Sequence, residues 1–267
     1  MENKYVLVTG AFGGMGKAAT EILVSKGYRV IALDKKIDSD ADVDGVIPFE
    51  CDLTDEKSVE DTFEKVRTLT GRILGIIHFA GKYILDSFVE LNGEELEGAF
   101  KVNLFGACRV NRIFLPLLSE GGRIIITTSE LAALDPLPFT GIYAVTKAAL
   151  DNYAYSLAME LQLLGIKVSV IRAGAVKTDM LGASTRALDR FCQNTRLYSC
   201  NASRFKSIVE GVEARHISAD RLARRVVCIF EKRSPRFNYS INRNPLLLLL
   251  NILPKRLRFF IIKKILK

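Results

Sequence analysis

The chain has 267 residues, 49% hydrophobic and 25% charged, which provides enough apolar surface for a large core and excludes a disordered tail. Its five cysteines (Cys51, Cys108, Cys192, Cys200, Cys228) are odd in number and scattered without a Cys-x-x-Cys pair, and only His78 and His216 accompany them; this argues against a disulfide scaffold or a metal site and for reduced thiols in the cytoplasm. The net charge of +8 is uneven: seven of the 38 basic residues lie from Arg243 onward with no acid among them, leaving 31 bases against 30 acids before it, so a nearly neutral body carries a basic tail, unlike a nucleic-acid binder.

In chain order, an apolar run of strand length at residues 5–8 precedes a helix-period segment at 17–26. Strand-like runs follow at 29–33 and 46–51, then a helix at 57–69, a strand at 73–79 and a long helical segment at 94–118. A strand at 123–128, a helix at 142–164 and a strand at 167–171 complete the alternation. The strands are nearly continuous apolar runs, the pattern of a parallel sheet covered on both faces. Right-handed crossovers then predict a three-layer α/β/α, doubly wound sheet with ligands beyond the carboxyl ends of its strands.

Residues 179–215 show neither strand alternation nor a strong helical period, and they mix Met180, Leu181, Leu188, Phe191, Leu197, Tyr198 and Phe205 with polar residues. A helix at 218–231 and a last strand at 237–241 follow, so the body ends at residue 242 as one domain and 243–267 form an extension. In that extension Leu257, Ile261 and Ile265 recur every four residues, with Arg256, Lys263, Lys264 and Lys267 mostly on another side. The pattern predicts a basic amphipathic helix, which either lies on a membrane surface or docks over the pocket or a subunit boundary. No charged-then-apolar leader precedes the first strand, so no secretory signal is expected. The longest apolar run, 246–253, is under half of the roughly 20 residues that span a bilayer.

The first strand-to-helix turn reads Thr9-Gly10-Ala11-Phe12-Gly13-Gly14-Met15-Gly16. Glycines there let the backbone turn tightly against a pyrophosphate, which meets the free N–H groups of a helix N-terminus. Asp34 ends the second strand 18 residues after Gly16, where a carboxylate accepts hydrogen bonds from the ribose hydroxyls of NAD and repels the 2′-phosphate of NADP. The pair predicts a Rossmann-type NAD site, with Lys35 and Lys36 as the residues that would admit NADP instead.

Three further stretches join this turn. Tyr143 and Lys147 stand four apart at the start of a helix and share a face, Thr127-Thr128-Ser129 ends the preceding strand, and Asn103 sits in the helical segment before it. Together, in this order and spacing over about residues 4–242, they resemble the classical short-chain dehydrogenase/reductase family. The resemblance implies that Tyr143 is the general acid/base, Lys147 its activator and a ligand of the nicotinamide ribose, Ser129 the donor to the substrate oxygen, and Asn103 the holder of a water in a proton relay. A tyrosine with a pKa of about 10 needs a nearby cation to act as a base, and Lys147 with the nicotinamide ring is expected to provide it.

By the same resemblance Asp52 and Leu53 contact adenine, Ala80 and Gly81 form the turn after the fourth strand, and Gly174, Val176 and Thr178 complete the nicotinamide side, with Phe12, Gly13, Gly14 and Met15 along the pyrophosphate. Asp52 also reads as an acid at a helix N-terminus, ahead of Thr54-Asp55-Glu56. The chain departs from the family at His78-Phe79-Ala80-Gly81, where Asn-Asn-Ala-Gly is usual, and at Ala173-Gly174, where Pro-Gly is usual; His78 is expected to be packed and hydrogen-bonded. Ser129 lies 14 residues before Tyr143, one more than is common, so Thr128 is the alternative donor.

The apolar residues of 179–215 point to a bulky hydrophobic alcohol or ketone, and the basic tail is similar to those of the hydroxysteroid and retinol dehydrogenase branches, which implies a steroid- or retinoid-like substrate. A reductase of 3-oxoacyl or small ketones and a non-catalytic cofactor-binding scaffold are the alternatives. The resemblance also implies a homodimer or homotetramer formed through the helices carrying Asn103 and Tyr143.

Overall fold

The near-continuous apolar runs arise because each strand buries both of its faces. In β1 (Lys4–Thr9), Tyr5 and Leu7 enter one core while Val6 and Val8 enter the other. This computed structural model describes residues 4–37, 43–213 and 215–267, without the side chains of residues 179–181, 183, 212 and 213. The side chains of Met180 and Leu181 therefore lie outside the described residues.

After β1 come α1 (Gly14–Ser25), β2 (Tyr28–Asp34), β3 (Val46–Glu50), α2 (Glu56–Leu69) and β4 (Ile73–His78). The middle of the chain forms α3 (Gly93–Phe100), α4 (Gly106–Phe114), β5 (Leu118–Ser129), α5 (Gly141–Leu161) and β6 (Lys167–Ala173). Then follow β7 (Val176–Lys177), α6 (Asp179–Asn194), α7 (Ser199–Glu213), β8 (Ile217–Ser218), α8 (Ala219–Phe230) and β9 (Asn238–Ile241), with α9 (Pro245–Ile252) and α10 (Lys255–Leu266) last.

Seven strands form one parallel sheet in the order β3-β2-β1-β4-β5-β6-β9, and β7 pairs with β8 as a short parallel ribbon. The order runs outward from β1 in both directions, which opens a crevice at the carboxyl ends of β1 and β4. On one face the strands meet Val59 and Val66 of α2, Val110 and Phe114 of α4, and Leu150 and Ala154 of α5. On the other they meet Ala19 and Leu23 of α1 and Leu222, Val226 and Phe230 of α8. Each such side chain contributes about 1.5–3 kcal/mol of burial when large and aliphatic or aromatic. The architecture is the expected Rossmann-type, doubly wound α/β/α sheet.

The expected long helix at 94–118 is three pieces in line: α3, a five-residue π-turn at Lys101–Phe105, and α4. The wider turn directs Asn103, which is buried, towards α5.

Residues 179–215, expected to be neither strand nor strongly periodic helix, are in fact mostly helical, as α6 and α7. Each has a short apolar face that packs on a small aromatic centre and not along the sheet. Leu188, Phe191, Ala202 and Phe205 cluster around Leu85 and Phe139. Phe139 has a left-handed φ of 63° and places its ring 4.6 Å from Phe191 and 5.0 Å from both Tyr198 and Phe205. It belongs to the segment between Ser129 and Tyr143 that absorbs the longer spacing.

The tail is not the single amphipathic helix expected from sequence. Pro254 lacks an N–H and holds Leu253 extended, at ψ 145°, so α9 and α10 meet at a corner. Arg258, which interrupted the apolar pattern, is buried. Its guanidinium donates to Asp135, to Asn251 Oδ1 (3.0 Å) and to the carbonyls of Asn251 (2.9 Å) and Leu253 (3.1 Å), locking the corner onto the body.

Candidate active site

The turn between β1 and α1 forms the first wall. Gly10 has φ +67°, and a Cβ there would stand 2.6 Å from the backbone nitrogen of Ala80, while one on Gly16 would overlap the carbonyl of Gly10. The chain thus closes on itself, with Gly13 as the N-cap of α1 and no side chain capping that helix. Its free N–H groups face the crevice, the arrangement that receives a pyrophosphate.

Asp34 is fixed to the same turn. Its Oδ2 accepts the Phe12 N–H (3.0 Å) and its Oδ1 the Lys35 N–H (2.8 Å). Lys35 reaches the other way and pairs with Asp52 at 2.8 Å. Asp52 Oδ1 accepts both the N–H (2.9 Å) and the hydroxyl (2.7 Å) of Thr54, and Asp55, not Asp52, caps α2. Partial burial works against the Asp52 charge, but Lys35 and Thr54 outweigh it and hold the carboxyl at about 2.

Gly10, Phe12, Gly13, Gly14, Met15, Gly16, Asp34, Asp52, Leu53, Ala80, Gly81 and Thr178 line one cleft of about 880 Å³. The glycine cradle, the uncapped helix and the acid at the end of β2 fit a dinucleotide lying across it. Lys36, Lys82 and Arg186 add cations to the rim; Arg186 comes from α6, and nothing in its local sequence marked it.

A second, smaller cavity of about 210 Å³ holds Ser129, Tyr143, Lys147, Gly174 and Val176, and it shares Met15, Phe79, Tyr83 and Thr178 with the cleft. Tyr143 and Lys147 project from the first turns of α5, and both are buried. The Lys147 ammonium lies 5.8 Å from the centre of the Tyr143 ring and donates to the Thr127 carbonyl at 3.3 Å. Ser129 lies beside the Tyr143 phenol, close enough to oppose the rise in its pKa, and accepts the Leu131 N–H at 3.2 Å. Thr128 bonds instead to Asp151 (3.2 Å), which pairs with Arg172 (2.7 Å), so of the two alternative donors Ser129 is the one beside the phenol.

Asn103 spends both amide hydrogens on the Lys82 carbonyl (2.9 Å) and the Thr146 hydroxyl (3.0 Å), and its oxygen accepts the Lys82 N–H (2.7 Å). One lone pair on that oxygen remains for a water. The Thr146 hydroxyl in turn donates to the Tyr143 carbonyl at 2.8 Å, so Asn103 is linked to α5 one turn from the phenol.

Burial governs the titration of the pair. It pushes the Tyr143 phenol well above its ordinary value, aided by Tyr83, whose ring lies 4.8 Å away, and only partly opposed by Ser129. It also pushes the Lys147 ammonium down to about 8. With the protein alone, the phenol holds its proton at neutral pH, the state of a proton donor. Burial likewise takes His78 down to about 4 despite its contact with Asn111; its Nδ1 is 3.3 Å from the Thr9 hydroxyl and its Nε2 is 2.9 Å from Asn111 Oδ1, a packed neutral ring as expected.

Sequence reasoning missed Tyr83 and Leu247, and marked Glu130 only as the residue 13 before Tyr143, unable to donate when ionised. Glu130, directly after Ser129, is buried in the wall of the second cavity, where its Oε2 accepts the Asn244 N–H at 2.7 Å and burial raises its pKa. Leu247 of α9 lines the same cavity with Leu131, Leu137, Phe205, Ile208 and Val209.

Residues 4–189 match the short chain dehydrogenase family. Among curated proteins, the chain is 26% identical over 254 residues to a probable short-chain type dehydrogenase/reductase of Helicobacter pylori, covering 93% of this chain and 92% of that protein. It is 25% identical over 242 residues to a 3-ketodihydrosphingosine reductase of Bacteroides thetaiotaomicron, covering 90% and 88%. Among solved structures, a short chain dehydrogenase from Burkholderia cenocepacia in complex with NADP superposes with a TM-score of 0.74 at 22% identity over 100% of this chain and 98% of the other. The chain belongs to the short-chain dehydrogenase/reductase family, oxidoreductases that act on CH–OH or ketone groups with NAD(P).

Proposed function

We propose that this protein is an NAD(H)-preferring oxidoreductase that interconverts a secondary alcohol and a ketone in a bulky apolar substrate, with Tyr143 as the acid/base. The observation that carries the reading is the buried phenol, with Ser129 and Lys147 beside it, in an apolar cavity that adjoins the glycine-lined cleft. The nicotinamide, when bound, supplies or accepts the hydride. The protein's part is positioning and proton transfer. Ser129 holds the substrate oxygen against Tyr143, whose proton is available for a ketone oxygen at neutral pH. Lys147 stabilises the phenolate that results, and Asn103 positions the start of α5 through Thr146 and leaves an acceptor for a relay water.

Preference for NAD rests on Asp34, whose carboxylate stands where a 2′-phosphate would be repelled, while Asp52 engages Lys35. The leucines and Phe205 of the second cavity support a hydrocarbon substrate of the steroid, retinoid or long-chain lipid kind over a small ketone. The Bacteroides relative, named for reducing ketodihydrosphingosine, supports the lipid end of that range. Residues 1–242 serve as the dinucleotide-binding body, with 179–215 over the substrate and 243–267 as an extension. Phe105, beside α4, and Val145, Tyr155 and Met159 of α5 leave apolar surface exposed on the two helices through which a homodimer or homotetramer would form.

Tyr143→Phe keeps the ring and removes the proton. Turnover of a long-chain ketone should fall by about 10²–10⁴, with NADH binding unchanged by fluorescence. Retained turnover would contradict the mechanism.

A further inference from the structure

The tail docks through one face and leaves the other bare. On the docked face, the Asn244 N–H is held by Glu130, the Asp135 N–H donates to Asn251 Oδ1 at 3.0 Å, and Leu247 and Leu250 pack towards Leu131 and Leu137. Further along, Asn201 of α7 donates to the Leu266 carbonyl at 2.7 Å. On the opposite side of α9, Leu246, Leu249 and Ile252 recur every three residues and are 60%, 61% and 80% exposed. Leu257, Phe259, Phe260 and Ile265 of α10 are exposed as well. Seven large apolar side chains left exposed on two short helices after the tail has folded back mark a contact surface.

The charge identifies what covers it. Arg258 is drawn into the body by Asp135, but Arg243, Lys255, Arg256, Lys263, Lys264 and Lys267 all stay exposed, and no acid follows Glu231 in the chain. A second copy seated symmetrically on this face would set these cations against their own likeness with no acid to pair them. An anionic lipid surface accepts both parts, with headgroups for the cations and the acyl boundary for the leucines and phenylalanines. No helix among the described residues is long and apolar enough to cross a membrane, so the contact is interfacial.

The same helix joins this surface to the catalytic cavity. Leu247 lines the cavity between Leu246 on the bare face and Leu248, and Ile208 of α7, another lining residue, is 41% exposed and marks the rim. We propose that the outer faces of α9 and α10 dock on anionic membrane, and that the cavity receives the hydrocarbon chain of a membrane-resident ketone or alcohol along α9. The route, though not the docking, rests on the cavity being the substrate site of an oxidoreductase.

The test uses the full chain and phosphatidylcholine vesicles with and without phosphatidylserine. The wild type should float with the phosphatidylserine vesicles and at least several-fold less with phosphatidylcholine alone, and Leu246→Glu/Leu249→Glu and Lys263→Glu/Lys264→Glu should each cut flotation about tenfold while NADH binding stays unchanged. With a diazirine-bearing octadecyl ketone in the vesicles, photolysis should label peptides containing Ile208 and Leu247, and the leucine variant should lose that labelling. Wild-type protein that stays in the soluble fraction overturns the docking, as does a dimer that the leucine variant dissociates without vesicles. Labelling away from α7 and α9 overturns the route. Flotation without NADH binding would leave the docking standing and sink the oxidoreductase reading, so the two fail separately.

Discussion

The two cavities, which adjoin at Met15, Phe79, Tyr83 and Thr178, are walled differently. The larger cleft is built around main chain: the β1–α1 turn, the uncapped start of α1 and the Ala80-Gly81 turn, with Asp34 pinned by two amides. The apolar cavity is made of side chains that reach it from separate segments: Leu131 and Leu137 after β5, Phe205, Ile208 and Val209 from α7, and Leu247 from α9. Backbone walls recognise a pyrophosphate whatever side chains surround them, so that end is common to many chemistries. Side-chain walls can be exchanged one at a time, so the second end decides which substrate this chain takes.

Substitutions on the two sides should therefore separate cofactor effects from substrate effects. The largest is expected beside the phenol. Lys147→Met should lower turnover by about 10² or more. It should also stabilise the fold at neutral pH. A lysine whose folded pKa is about 8 binds fewer protons folded than unfolded between that value and 10.5, so its charge penalises folding in full below pH 8 and the penalty is relieved as the pH rises. Denaturant titrations should show Lys147→Met ahead by on the order of 3 kcal/mol at pH 7 and converging with the wild type near pH 10.5. A constant difference across that range would break the argument.

On the cleft side, Asp34→Ser should weaken NADH about tenfold and strengthen NADPH, read as dissociation constants, with the KM of a long-chain ketone unchanged. On the apolar side, Leu247→Ala should raise that KM a few-fold and leave both dissociation constants alone. If either change crosses to the other side, the separation is wrong.

The smallest effect concerns the link between the tail and the site. Burial raises the Glu130 pKa, so the folded protein binds more protons than the unfolded chain above pH 4.5 and loses stability as the pH rises through the raised value. Glu130→Gln keeps an acceptor for the Asn244 N–H and should flatten that slope. An unchanged slope would assign it elsewhere.

The same contrast explains what was legible in the sequence. The cleft could be read because main-chain geometry leaves a direct imprint: Gly10 is needed for a positive φ, Gly16 for contact with Gly10, and Asp34 for its place at the end of β2. Tyr143 and Lys147 were legible because one helix face fixes their separation. Ser129 and Thr128 could not be distinguished until the strand showed one side chain beside the phenol and the other against Asp151. The cavity was hidden for a different reason. Phe139, from the segment before α5, gathers Phe191, Tyr198 and Phe205, so the apolar faces of α6 and α7 close on that ring and not on the sheet, a packing their own spacing does not reveal. In the tail, the apolar recurrence of Leu257, Ile261 and Ile265 was visible, but the docked face turned out to be the one with Arg258, whose partner Asp135 lies 123 residues away in sequence.

The most direct measurement is a fluorescence titration of the wild-type protein with NADH and, separately, NADPH; the chain has no tryptophan, so the coenzyme's own emission is read cleanly. Tight binding of NADH with NADPH at least tenfold weaker is the predicted result. A preference for NADPH would contradict the role given to Asp34, and binding of neither would contradict the assignment of the cleft itself.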